Sequence, residues 1–168
     1  HLGIGHVAVS IEGAYNEIIN EIRKTPIKVS DQAFINLPPR LRMATLYAVS
    51  QSVNGRVANT CNLSEAYIGW ETRWGDAAGD FAPLQGLTCS EVIALGKELD
   101  LPSELIEKVP SDGLCGSTDE DAFGFTYAVL DRYLRTGEIE KQEDKEKIDR
   151  KIKNNWFKHS PIPAFELD

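Results

Sequence analysis

Asn59-Thr60-Cys61-Asn62-Leu63-Ser64-Glu65, continued after nine residues by Gly75-Asp76-Ala77-Ala78-Gly79-Asp80, is the stretch on which the fold turns. A short run with β-branched Val57 and Thr60 stops at an Asn/Thr turn and feeds a helix. Glu65 sits one turn into that helix, and a Gly/Asp loop follows. Open α/β sheets present their ligands just beyond the carboxyl ends of their strands. The order therefore predicts a buried strand over 57–60 with a nucleotide and its metal at its end.

Two readings of Glu65 follow. Asn62-Leu63-Ser64-Glu65 fits a capping box, in which the glutamate returns a bond to the N–H of the cap. The same carboxylate is a hard oxygen donor of the kind Mg²⁺ takes, one or two at a time, beside phosphates. Thr60, at the strand end, is either a nucleotide contact or an ordinary turn residue.

The 168 residues are 42% apolar and 26% charged, which is the composition of a globular protein with room for a core. No apolar run approaches the roughly 20 residues of a membrane helix, and no basic-then-apolar leader is present. A net charge of −8 argues against a nucleic-acid surface. Cys61, Cys89 and Cys115 are widely spaced, form no C-x-x-C pair and suit reduced thiols in a cytoplasmic protein. The chain starts at His1 on a strand-like run, Gly5-His6-Val7-Ala8-Val9, as a piece of a longer chain would.

Residues 6–10 read as a strand and 11–24 as an amphipathic helix with Ile11, Tyr15, Ile18, Ile19 and Ile22 on one face. Pro38-Pro39 is expected to interrupt the next segment, leaving 31–37 as a turn or short helix and a long helix over 40–53. Thr88-Cys89-Ser90-Glu91 is a second capping box, opening a helix to about Leu99. A short helix over 103–108, helices over 118–123 and 126–135, a Gly137 stop and a charged helix over 140–157 complete the reading. With no repeat or linker, residues 1–168 are expected to be a single domain.

Arg73, Asp76 and Asp80 share one glycine-containing loop with Trp70 and Trp74 nearby, and indole faces suit an adenine or nicotinate ring as well as they suit a core. Arg40 and Arg42 follow the two prolines. No Ser/His/acid set and no G-x-x-x-x-G-K-[ST] loop can be read.

Read together, Asn36-Leu37-Pro38-Pro39-Arg40-Leu41-Arg42-Met43, the 59–65 run, the 75–80 loop, Glu107-Lys108-Val109-Pro110-Ser111-Asp112-Gly113-Leu114 and Thr118-Asp119-Glu120-Asp121-Ala122-Phe123-Gly124-Phe125-Thr126-Tyr127 closely resemble NAD synthetase in order and spacing. The resemblance covers about residues 30–165. It implies a doubly wound, Rossmann-like α/β sheet of the adenine-nucleotide alpha-hydrolase type, here helix-rich and shortened at its N-terminus. It implies ATP-dependent amidation of deamido-NAD by ammonia, giving NAD, AMP and pyrophosphate, with Mg²⁺, in a homodimer. Thr60 and Ser111 match ATP positions, Glu65 a Mg²⁺ ligand, and Arg40, Arg73, Asp80 and Lys158 positions that hold deamido-NAD. No protein nucleophile is implied.

Three features depart from the family pattern. Cys89 stands where a lysine often touches ATP, Ala77-Ala78 where glycines are common, and Phe157 where the tail pair has histidine. The family's Ser-Gly-Gly-x-Asp-Ser loop is not found in residues 1–168, so the chain is expected to be the C-terminal part of the enzyme and inactive alone. The alternatives are a non-catalytic nucleotide-binding or dimerisation module, or another ATP-pyrophosphatase amidating ligase of the GMP synthetase type.

Overall fold

The computed structural model describes residues 3–111 and 116–165. Their elements are helical: α1 (Glu12–Arg23), α2 (Asp31–Ser52), α3 (Leu63–Ile68), α4 (Cys89–Glu98), α5 (Ser103–Ile106), α6 (Asp119–Phe123), α7 (Tyr127–Thr136) and α8 (Gln142–Asn155), ending in a 3₁₀ turn at Trp156–Lys158.

The helices begin where short polar side chains can take up the first free N–H groups. Ser30 accepts from the Ala33 amide, and Asn62, Thr88 and Thr118 each open a reciprocal box with Glu65, Glu91 and Asp121. Gly69, Gly124 and Gly137 end α3, α6 and α7 in the left-handed region. At Gly69 the requirement is double: φ is +66°, and an added Cβ would lie 2.3 Å from the Asn155 Cβ.

Two expectations are corrected. The 6–10 run forms no strand; its valines are exposed, and extended chain without a neighbouring strand has no ladder to join. The 57–60 run contributes one parallel bridge, Ala58 to Phe81, with Asp80 N–H donating to the Val57 carbonyl at 2.7 Å and Asn59 N–H to the Phe81 carbonyl at 2.8 Å. Among the described residues the doubly wound sheet is thus reduced to that bridge.

The third correction concerns the prolines. Helix α2 runs unbroken through Pro38 and Pro39. Neither proline can donate, so the ladder bonds to the Phe34 and Ile35 carbonyls cannot form, a loss of roughly 3 kcal/mol in an ordinary helix interior. Tertiary packing offsets it: Pro39 is buried against Gly75, where an added Cβ would come within 3.0 Å of the proline Cβ.

The core gathers Ile68, Cys89, Phe123, Phe125, Tyr127, Leu130 and Ile148, from α3, α4, the α6–α7 corner and α8. Trp70 meets Phe123 edge-on at 4.8 Å, and Phe123 in turn meets Tyr127 at 5.4 Å. One buried polar network pins α3, α4 and α7 together. Ser64 Oγ donates to Asp131 Oδ1 at 2.5 Å, the Cys89 amide donates to Ser64 Oγ at 3.0 Å, and the Ser90 amide donates to Asp131 Oδ2 at 2.8 Å.

Candidate active site

The Gly/Asp loop does not hang free. The Thr72 N–H donates to Asp76 Oδ1 at 3.0 Å, Thr72 Oγ1 donates to Asn36 Oδ1 at 3.1 Å, and Asn59 Nδ2 reaches the Ala77 carbonyl at 2.8 Å. These bonds set the loop between α2 and the N-terminus of α3, and a cleft of about 430 Å³ opens beneath it. Its walls come from widely separated parts of the chain: Gln32, Ile35, Asn36, Pro39 and Arg42 of α2, Thr60, Cys61 and Glu65 at α3, 69–72 and Asp76 of the loop, and then Ser111, Asp119 and Lys158.

Four of the seven site residues expected from sequence meet here: Thr60, Glu65, Ser111 and Lys158. The other three are engaged elsewhere. Asp80 uses Oδ2 to accept from the Val57 amide at 2.8 Å, which holds the Ala58–Phe81 bridge. Arg40 points its Nε to the Arg73 carbonyl at 3.3 Å. Arg42 lines the cleft instead, because residues two apart on a helix face opposite ways. Arg73 lies over the rings of Trp74 and Phe157 rather than on the cleft wall. The two indoles divide the same way: Trp70 packs on the core and edges the cleft, while Trp74 is exposed. The end of the 107–114 motif, 112–114, lies outside the described residues.

Glu65 serves its cap and borders the cleft at the same time. Its Oε2 accepts from the Asn62 N–H at 2.9 Å, closing the capping box, while its carboxyl group lines the cleft. Burial pushes its pKa up to about 7; the Asn62 bond opposes this, and Asp119, Asp76 and Glu71 add to it. Glu71, also in the wall, is raised by burial, an effect that His159 and Lys158 oppose. Burial lowers Lys158, whose Nζ donates to the Gly69 and Glu71 carbonyls at 2.7 Å each.

Asp119 is the residue that sequence reasoning quoted within a motif but did not single out. It is 4% exposed, its Oδ2 accepts from the Tyr127 hydroxyl at 3.0 Å, and its Oδ1 is buried with no donor among the described residues. A buried carboxylate oxygen without a partner is costly, and this one belongs to a cleft wall carrying Glu65, Glu71, Asp76 and Asp119 against Arg42 and Lys158. Among the described residues no three His, Cys, Asp or Glu side chains gather closely enough to hold a metal by themselves. Neither thiol among the described residues offers a nucleophile: burial holds Cys61 far above the usual range and pushes Cys89 up to about 12.

The model of the NAD synthase family matches residues 1–160. The NH(3)-dependent NAD(+) synthetase of Carboxydothermus hydrogenoformans is 41% identical over 140 residues, covering 82% of this chain and 58% of that protein. The Finegoldia magna enzyme of the same name is 37% identical, covering 99% of this chain and 68% of its own length. Among solved structures, the NMN synthetase of Francisella tularensis superposes with a TM-score of 0.92 at 35% identity, over 99% of this chain and 68% of that one. The NH3-dependent NAD synthetase of Campylobacter jejuni gives 0.69 at 27%, over 94% and 64%.

Proposed function

Because the chain belongs to the NAD synthase family, we propose that it contributes the cleft for ATP-dependent amidation of deamido-NAD with ammonia. The observation that carries this is the meeting of Thr60, Glu65, Ser111 and Lys158, up to 98 positions apart in sequence (Thr60 to Lys158), at one acidic cleft. In this reading the bridge at Ala58–Phe81 belongs to the edge of the family's doubly wound sheet, and residues 1–168 form part of one domain of a homodimeric, cytoplasmic enzyme.

The chemistry follows from the acid. A carboxylate is a poor acyl donor because oxide is a poor leaving group. One nicotinate oxygen attacks the α-phosphorus of ATP, and pyrophosphate departs. The ammonia nitrogen then attacks the acyl carbon, AMP departs, and a proton is lost from nitrogen. No protein nucleophile is needed, which agrees with two thiols held protonated.

The residues present fit a magnesium ion. Glu65 and the unpartnered Oδ1 of Asp119 are hard oxygens in one wall and would hold it. When bound, Mg²⁺ neutralises phosphate charge and orients the triphosphate. Thr60 and Ser111 would bind the nucleotide through their hydroxyls, and Lys158, with two of its three protons bonded to carbonyls, would direct the third at the acid substrate. Asp80 and Arg40 would act by holding the loop rather than by contact.

The test takes the chain alone, expected inactive, and the chain joined to an upstream Ser-Gly-Gly-x-Asp-Ser part, each with ATP, Mg²⁺, ammonium and deamido-NAD, read as AMP released by the joined chain. Formation of AMP that requires both the acid nucleotide and ammonium supports the assignment. ATP binding without it, with Glu65→Gln and wild type alike, counts against it. The Francisella superposition favours a second acceptor, the mononucleotide acid that would yield NMN, so both acids belong in the same assay.

A further inference from the structure

The C-terminal turn is fastened to the loop after α3 at several points. Asn155 Nδ2 donates to the Ile68 carbonyl at 3.0 Å, Lys158 Nζ to the Gly69 and Glu71 carbonyls, and His159 Nδ1 lies 3.8 Å from Glu71 Oε1. The outermost fastening is Arg73. Its guanidinium carbon is 5.0 Å from the Trp74 ring centre and 5.9 Å from that of Phe157, so one cation lies over two rings. Its hydrogen bonds contribute little. Nη2 reaches the Ser160 carbonyl only at 3.4 Å, and Nε is buried with no acceptor among the described residues. A broad, weakly hydrated guanidinium suits two rings at once, and a compact, strongly hydrated ammonium does not. The Arg73 carbonyl accepts from Arg40, which joins α2 to the same point.

We propose that Arg73 is a positioning residue: clasped by Trp74 and Phe157, it fixes the 156–160 turn on the 69–76 loop and so holds Lys158 at the cleft wall. This departs from the expectation that Arg73 itself touches the dinucleotide. It also gives the ring at position 157 a purpose, since an aromatic face there completes the clasp. The kinetic part rests on the amidation reading above; the structural part does not.

Two amides report on the clasp, those of His159 and Ser160, which donate to the Trp156 carbonyl at 3.1 and 3.2 Å. Hydrogen exchange is measured on wild type, Arg73→Lys, Phe157→Leu, Phe157→Tyr and the Arg73→Lys/Phe157→Leu double variant. Each of Arg73→Lys and Phe157→Leu is expected to speed exchange at both amides by about tenfold. Phe157→Tyr, which keeps the ring, is expected to match wild type. The double variant is expected to exchange no faster than the worse single. The Leu130 amide in α7, bonded to the Thr126 carbonyl, is expected to stay protected and so reports that the core is intact. In turnover of the chain joined to its upstream part, the same two single variants raise KM for the acid nucleotide about tenfold while KM for ATP and kcat hold. Unchanged exchange in both single variants, or effects that multiply in the double, overturns the clasp. Faster exchange with an unaltered KM overturns its link to the reaction. A joined wild-type chain that binds ATP but makes no AMP with either acid defeats the amidation reading instead, and the exchange data still decide the clasp.

Discussion

Asn62-Leu63-Ser64-Glu65 and Thr88-Cys89-Ser90-Glu91 have the same local plan and open α3 and α4 in the same way, yet their glutamates end in opposite electrostatic states. Each returns a bond to its cap amide, at 2.9 Å from Glu65 and 2.8 Å from Glu91. Glu91 stands at the surface with the Arg135 guanidinium on both oxygens, and that pair, helped by the Thr88 amide, holds its pKa at about 2. Glu65 faces the cleft, where burial and three neighbouring carboxylates lift it to about 7. A capping box therefore fixes a backbone without fixing the charge of its acid. The surroundings on the other side of the carboxylate do that.

The largest break in this symmetry is expected in catalysis. Glu65→Gln keeps an oxygen for the cap but removes a charge from the cleft, and AMP formation by the chain joined to its upstream part should fall about a hundredfold or more. Glu91→Gln should leave it unchanged. If both variants fall equally, the cleft carries no special role for Glu65.

The next effect is on stability against pH. Glu65 has a folded-state pKa above its ordinary 4.5, so its favourable share is fully present below pH 4.5 and is lost as pH rises through about 7. In wild type this should weaken the fold by about 2 kcal/mol between pH 4.5 and 8, read from urea midpoints, and Glu65→Gln should flatten that slope. Glu91 runs the other way: its share is present above pH 4.5 and is lost as pH falls toward 2.

Removing the caps themselves should be nearly equal. Asn62→Ala and Thr88→Ala should each cost about 1 kcal/mol in urea unfolding, but Asn62→Ala alone should also disturb turnover, because it frees Glu65. Smallest is Arg135→Met. The exposed, solvent-screened ion pair should leave the urea midpoint nearly unchanged, while the Glu91 pKa should return upward in an NMR titration.

Helix legibility followed from local chemistry. The boxes at Asn62, Thr88 and Thr118, the Gly137 stop and the ends of α1 and α4 lie where short-range rules put them. The strands did not, because a strand is defined by its neighbours. The 6–10 run has none among the described residues, and the 57–60 run has a single partner residue, Phe81. The proline pair misled for a related reason: its cost is local, but its compensation, Pro39 on Gly75, comes from 36 positions away (39 to 75).

The site divides along the same line. Thr60, Glu65, Ser111 and Lys158 line the cleft, but so does Arg42 where Arg40 does not, and Asp80 and Arg73 make contacts within the chain. Nothing in the order of residues says that the Oδ1 of Asp119 is buried without a donor, or that Phe157 meets Arg73. The sequence by itself determined most helix ends outside α2, the family and the inventory of acids and hydroxyls, since each depends on residues a few positions apart or on a pattern read in order. Only the tertiary structure decided which of those groups share the cleft and which carboxylates resist ionisation, because desolvation and charge coupling depend on distance through space and not along the chain.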